Sequence, residues 1–257
     1  MTPILNVYAL PRFAAPADLA GGTAVVIDVL RASTTIVHAL EAGAKEVIPC
    51  LEVEDARAAA AELAPGEAVL GGERQGLPID GFDLGNSPTE YTPDRVDGKT
   101  VVFTTTNGTQ AMFECRPAAR VLIGAFANAS AVCRQLAGIE QIHLVCAGTQ
   151  GEFSRDDVLL AGLLIERILT QGVVNYQLNV QALTARENWR SSFALPLVLG
   201  AEPLKAEVLA GELQKSPGGR NLTAVGLEAD ILTAAQIDRF DGVPELDTRT
   251  FRIRPAE

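Results

Sequence analysis

The stretch Val25-Val26-Ile27-Asp28-Val29-Leu30-Arg31-Ala32-Ser33-Thr34-Thr35 decides the fold class. Its β-branched run suits a strand covered on both faces. The strand ends in an acid, the chain turns through Arg31, and hydroxyl residues open a helix. Ser33 reads as the helix cap, and Ile36, Val37 and Leu40 carry the apolar face on to Gly43. Asp28 therefore falls at the carboxyl end of a parallel strand, where open α/β sheets place their ligand crevice. The free N–H groups of the helix start can hold an anion. Acid, guanidinium and helix start together suit a metal-bound phosphate. Taken alone, they would equally serve as a helix cap and a surface ion pair.

Working outward, strand-like runs recur near residues 4–9, 24–29, 46–50, 68–71, 100–105, 120–125 and 141–147. Helical patterns fall between them, near 33–42, 53–63, 108–115, 128–137 and 156–171. The alternation predicts a three-layer α/β/α fold with a mostly parallel sheet. Beyond about residue 174 the C-terminal part is less regular. There we expect a helix near 184–191 carrying Trp189, another near 204–215, a turn at Pro217-Gly218-Gly219-Arg220 and a short strand over 250–254. Residues 1–257 read as a single catalytic unit, with two α/β lobes and the site between them as the variant organisation. Residues 71–98 hold too much Gly, Asp, Asn and Pro for one regular element, and read as a long loop that shapes a site.

The formal charge of −11, from 32 acidic and 21 basic residues, argues against nucleic acid and anionic membranes as partners. An anionic substrate must then meet local positive charge. The N-terminus has no signal-peptide pattern, and no apolar run reaches membrane-span length. The four cysteines, Cys50, Cys115, Cys133 and Cys146, form no CxxC and read as reduced thiols of a cytoplasmic protein. His38 and His143, the only two histidines, sit in a helical and a strand pattern and read as packed structural residues. Zinc on His and Cys is disfavoured, whereas a hard cation with oxygen ligands is not. Self-association into a homo-oligomer is left open.

Four segments end or follow strands with polar residues. They are Asp28/Arg31; Glu73/Arg74 continuing to Asn86/Ser87; Thr104-Thr105-Thr106-Asn107-Gly108-Thr109; and Cys146-Ala147-Gly148 running to Ser154, Asp156 and Asp157. Ser154 with Asp157 has capping-box spacing. Parallel strands deliver such ends to one edge, so the acids and arginines can converge. Carboxylates repel phosphate unless a cation intervenes, and Mg²⁺ prefers one or two carboxylates, water and phosphate oxygens. The P-loop, the G-x-S-x-G elbow, the Asp-x-Asp phosphatase pair and the glycine-rich dinucleotide fingerprint are all missing. Cys146 lacks the arginine of a cysteine-phosphatase loop.

Together the four segments, above all Gly81-Phe82-Asp83-Leu84-Gly85-Asn86-Ser87-Pro88, resemble the 2-phosphosulfolactate phosphatase family. Ser216-Pro217-Gly218-Gly219-Arg220-Asn221-Leu222 with Gly226 and Asp230-Ile231 is similar to the family's C-terminal pattern, and Asp156 stands where a Glu is expected. The resemblance implies Mg²⁺-dependent hydrolysis of 2-phospho-3-sulfolactate to 3-sulfolactate and phosphate, a step of coenzyme M biosynthesis. On this reading the ligand is a small anionic phosphate ester. Asp28 and Glu73, with Asp157 third, are the candidate metal carboxylates. Asp28, Arg31, Glu73 and Arg74 are the candidate catalytic residues, the two arginines neutralising phosphoryl charge. Thr105, Thr106, Asn107 and Gly108 would cradle an oxyanion, and Asn86 and Ser87 would orient the substrate. Metal-assisted attack of water and a covalent Asp28 nucleophile both stay open, as does a non-catalytic phosphometabolite-binding protein.

Overall fold

The computed structural model describes residues 2–198 and 204–256. In chain order the strands are β1 (Ile4–Tyr8), β2 (Thr23–Ile27), β3 (Glu46–Cys50), β4 (Ala68–Arg74), β5 (Leu77–Pro78), β6 (Thr100–Thr104), β7 (Arg120–Gly124), β8 (Gln141–Cys146), β9 (Gln177–Leu178), β10 (Pro244–Asp247) and β11 (Arg252–Pro255). The α-helices are α1 (Pro16–Leu19), α2 (Ala32–Glu41), α3 (Val53–Ala61), α4 (Pro93–Val96), α5 (Gly108–Glu114), α6 (Ala129–Gln135), α7 (Arg155–Gln171), α8 (Val180–Val198), α9 (Ala206–Leu213), α10 (Pro217–Ala224) and α11 (Glu228–Ala234).

β2 is buried along its whole length. Its alternate residues feed two cores: Val25 and Ile27 pack with α6, α7 and α8, while Ala24 and Val26 share a core with α2 and α5. Helices on both faces of a mostly parallel sheet are what the strand–helix alternation predicts.

The strand order is β5-β4-β6-β3-β11-β10-β7-β2-β8-β1-β9. β4, β6 and β3 run parallel, and so do β7, β2, β8, β1 and β9. Between these groups sits the β10–β11 hairpin, antiparallel to β7 on one side and to β3 on the other. Three successive antiparallel pairings reverse the strand sense, so the two parallel groups run oppositely within the sheet. Twist offsets this. At about 20–25° per neighbouring pair, the six steps from β4 to β2 rotate the strands by roughly 120–150°. The carboxyl ends of β2 and β4 can thus face one another, which a flat sheet would forbid.

Several sequence expectations are corrected. β10 was not foreseen, and its partner β11 lies in mid-sheet, not at a margin. Pro217-Gly218-Gly219-Arg220 is no turn but the first turn of α10, capped by Ser216, whose Oγ accepts from Gly219 N at 2.9 Å. The glycines there serve close packing: a Cβ on Gly219 would collide with Leu213 O. β4 continues to Arg74, so Glu73 and Arg74 are strand residues, and the 71–98 segment also contains β5 and α4. The helix expected near 184–191 is part of the longer α8. Both histidines are buried, as expected of packed residues.

The seam yields a prediction. Ile253 is fully buried and pairs with Val47 across the β11–β3 junction. Ile253→Ala should cost about 2–5 kcal/mol, read as a lower urea midpoint. A midpoint within about 0.5 kcal/mol of wild type would show that the seam contributes little.

Candidate active site

The turn after β2 is braced from within. Asp28 N donates to Ser33 Oγ at 2.9 Å, and Ser33 N donates to Asp28 O at 2.9 Å. Thr34 Oγ1 donates to Val29 O at 2.7 Å. Ser33 is thus not the helix cap: its hydroxyl faces back to the strand, and Asp28 Oδ1 instead accepts from Ala32 N at 3.2 Å. The Leu30–Arg31 peptide bond is cis.

Asp28, Arg31, Glu73, Asn86, Thr106 and Asn107 line one cavity of about 260 Å³. They come from four strand ends or loops, and hydrogen bonds tie these together. Glu73 accepts from Gly76 N at 2.6 Å and from Thr106 N at 2.8 Å, joining the turn after β4 to the loop after β6. Arg31 donates to Asp230 at 2.7 Å and to Gly76 O at 3.2 Å. Gly108 lets α5 pack closely against the turn after β2: a Cβ there would lie 2.5 Å from Ala32 Cβ and 2.7 Å from Asp28 Oδ2. Asn86 Oδ1 is buried with no hydrogen-bond partner among the described residues, which is costly unless a ligand or water pairs with it.

Other sequence candidates lie behind the cavity wall. The Arg74 guanidinium donates to Glu73 O, Leu51 O and Thr104 Oγ1, at 2.9, 2.6 and 2.8 Å. It ties β4 to its neighbours. Ser87 Oγ donates to Asp230 at 2.6 Å. Thr105 is buried and braces Thr109. Asp157 accepts from Val29 N at 2.8 Å and Gly148 N at 2.9 Å, fastening β2 to the loop after β8. Asp157 does not complete a capping box, and Ser154 Oγ donates to Asp156.

Two further acids at this site were part of the sequence pattern but were given no role there. Asp230 on α11 is buried and orients both Arg31 and Ser87. No local pattern marks that role, because its partners lie 143 and 199 residues away. Asp156 is buried beside Leu30 and Gly218, and its neighbour Asp157 was the legible one of the pair. From the C-terminal part, Gly218 and Asn221 on α10 also line the cavity.

Asp28, Asp156 and Asp157 form a buried carboxylate group. Burial, then repulsion from Asp156 and Glu73, pushes the Asp28 pKa up to about 7, against the Ala32 N–H and Arg31. Burial also raises Asp156 and Asp157, the latter further repelled by Asp156 and Asp28. Such a group holds a proton or draws a cation. Among the described residues no three His, Cys, Asp or Glu side chains form a ready-made metal cage. A hard cation on one or two carboxylates, water and a phosphate does fit, with Asp28 supplying the oxygen not engaged by Ala32 N. Glu73 and Asp157 fit less well, since backbone N–H groups occupy both oxygens of each.

Fold and cavity together define an α/β protein with a polar cleft set against buried acids and one ion-paired arginine. The 2-phosphosulpholactate phosphatase profile matches residues 9–249. The chain belongs to that family. It is 40% identical over 228 residues to a protein of Symbiobacterium thermophilum, covering 88% of this chain and 92% of that one. A Caldanaerobacter subterraneus protein is 39% identical, with 89% of each chain covered. A Thermotoga petrophila protein is 38% identical over 90% of this chain and 92% of its own. All three are named probable 2-phosphosulfolactate phosphatase.

The cysteines take no nucleophilic part in this arrangement. All four are free and buried. Burial pushes Cys50 up to about 11 and Cys115 and Cys133 up to about 12; burial, together with repulsion from Asp157 and Asp156, raises Cys146 well above the usual thiol range. The thiolate is the reactive form. The folded protein should therefore resist a chromogenic thiol reagent at pH 8, and unfolding should release all four thiols. Fast labelling of Cys146 in the folded state would contradict this placement.

Proposed function

We propose that the protein hydrolyses 2-phospho-3-sulfolactate to 3-sulfolactate and phosphate, with Mg²⁺ as cofactor. Family membership supports the substrate. The observation that carries the site is the meeting of Asp28, Arg31 and Asn86 around one cavity.

Arg31 is the candidate for stabilising phosphoryl charge. Its guanidinium is nearly buried and fixed by Asp230 and Gly76 O, so it meets the substrate already oriented. Asn86 offers an amide to a substrate oxygen, and Thr106 and Asn107 close the opposite wall. Asp28 would hold the cation, and Glu73, a weaker candidate with both oxygens engaged by backbone N–H groups, would fix the wall beside it. Bound there, Mg²⁺ would neutralise phosphate charge and acidify water. Asp28 as covalent nucleophile is the competing route for the same atoms. Arg74, Ser87, Thr105, Gly108 and Asp157 take supporting roles on this reading, holding the walls without touching the substrate.

The whole chain acts as one catalytic unit, with the site between two half-sheets. No described helix is long and apolar enough to cross a membrane. Four free cysteines suit a reducing cytoplasm. Coenzyme M biosynthesis is the pathway that the family resemblance carries with it.

Phosphate release from 2-phospho-3-sulfolactate tests the reading directly, with Mg²⁺ and after chelation and dialysis. Turnover should depend on the cation, and full turnover without it would remove the metal. Asp28→Asn should stay folded and lose about a thousandfold or more in kcat, roughly 4 kcal/mol of barrier. Arg31→Lys should lose about ten- to a hundredfold in kcat/KM, because a point charge cannot replace a two-pronged donor. Near-normal kcat in folded Asp28→Asn would return Asp28 to a purely structural part.

A further inference from the structure

Two hairpin tips flank the cavity, and they share one unusual sequence. β4 and β5 pair through Arg74 and Leu77, leaving Gln75-Gly76 as a two-residue loop. In the loop after β8, Thr149 and Glu152 exchange backbone hydrogen bonds of 2.9 and 3.0 Å, leaving Gln150-Gly151 as another. Gln75 and Gly76 have φ of 55° and 81°, and Gln150 and Gly151 have φ of 53° and 78°. Positive φ at both central residues is the pattern of a type I′ turn. The first position of that turn favours Asn, Asp or Gly, because longer L side chains rarely adopt positive φ. Twice this chain puts glutamine there instead, and both glutamines line the same cavity.

Each tip is fixed to a wall of the site. Gly76 O accepts from Arg31 at 3.2 Å, and Gln150 N donates to Asn107 Oδ1 at 3.0 Å. The two glutamine side chains themselves have no hydrogen-bond partner among the described residues, and both residues are exposed at the cavity mouth. Local conformation does not select glutamine here, and no described residue uses its side chain. Its amide is free for a ligand.

We infer that Gln75 and Gln150 are specificity-determining residues: their amide N–H groups grip the acid groups of the substrate that do not react. This rests on the functional reading above and extends it. A cavity already lined by Asp28 and Glu73 would capture an added lysine or arginine as an ion pair. A neutral amide escapes that capture and still offers two donors. The ligand class is therefore a phosphate ester carrying further anionic groups.

The test compares 2-phospho-3-sulfolactate with glycerol 2-phosphate, which has neutral arms in place of the two acid groups. Gln75→Asn and Gln150→Asn suit the turn better but shorten the reach; Gln75→Glu and Gln150→Glu keep the reach but repel anions. Each Asn variant should lower the kcat/KM ratio of the two esters by about tenfold, mainly through KM, with an unchanged or higher Tm. Each Glu variant should lower the ratio further. Calorimetric binding of 3-sulfolactate should weaken in the same order. A wild-type ratio in all four variants, with binding unchanged, overturns the inference and leaves the phosphatase reading standing. Neither turnover nor binding by the wild-type protein overturns both. A loss of Tm in the Asn variants, with the ratio intact, makes the glutamines turn-formers and also overturns it.

Discussion

Everything at the site depends on the way two oppositely running groups of parallel strands are joined. The β10–β11 hairpin supplies the joint by pairing antiparallel on both sides. Without it, β3 and β7 would each present an open edge. With it, the accumulated twist brings the strand ends that carry Asp28 and Glu73 to a shared cavity. Glu46 helps hold the joint: buried on β3, it receives Arg252 and Arg254 from β11.

Around the cavity the binding of backbone by carboxylates is as prominent as any direct role in chemistry. Glu73 takes two backbone N–H groups from different loops, and Asp157 takes two more. Each acid fixes two segments that no regular element connects. Such bonds to charged acceptors are among the stronger ones. Asp28 differs from both in being less satisfied, and burial, then repulsion from its acidic neighbours, pushes it up to about 7. Acids of similar appearance in the sequence thus divide into fasteners and one that is left for a ligand.

Apart from the short α1, β5 and α4, the strands and helices up to residue 171 were legible because apolar period and turn residues agreed along the chain, as in the Val25–Ile27 run followed by Asp28. The hairpin was not. Residues 244–247 are a short run beginning with proline, and only their pairing makes them a strand. Glycines misled at 217–220, where a small residue is needed for packing and not for a turn. At the site, the segments were legible but the direction of each side chain was not. Arg74 sits one residue from Glu73 on a strand, and successive strand residues face opposite ways, so only one of them lines the cavity. The role of Asp230, as distinct from its place in the sequence pattern, was out of reach for another reason: it lies in contacts to residues far away in sequence.

The position of the joint also sets an order of events during synthesis. β10 and β11 follow every other strand in the chain, so a ribosome exposes both half-sheets before the piece that unites them. For that interval the nascent chain carries β3 and β7 with unpaired edges, the kind of surface that recruits chaperones or pairs wrongly with another chain. Asp230 and the cavity wall on α10 emerge just ahead of the hairpin. Assembly of the cleft is therefore a late event, coupled to completion of the sheet.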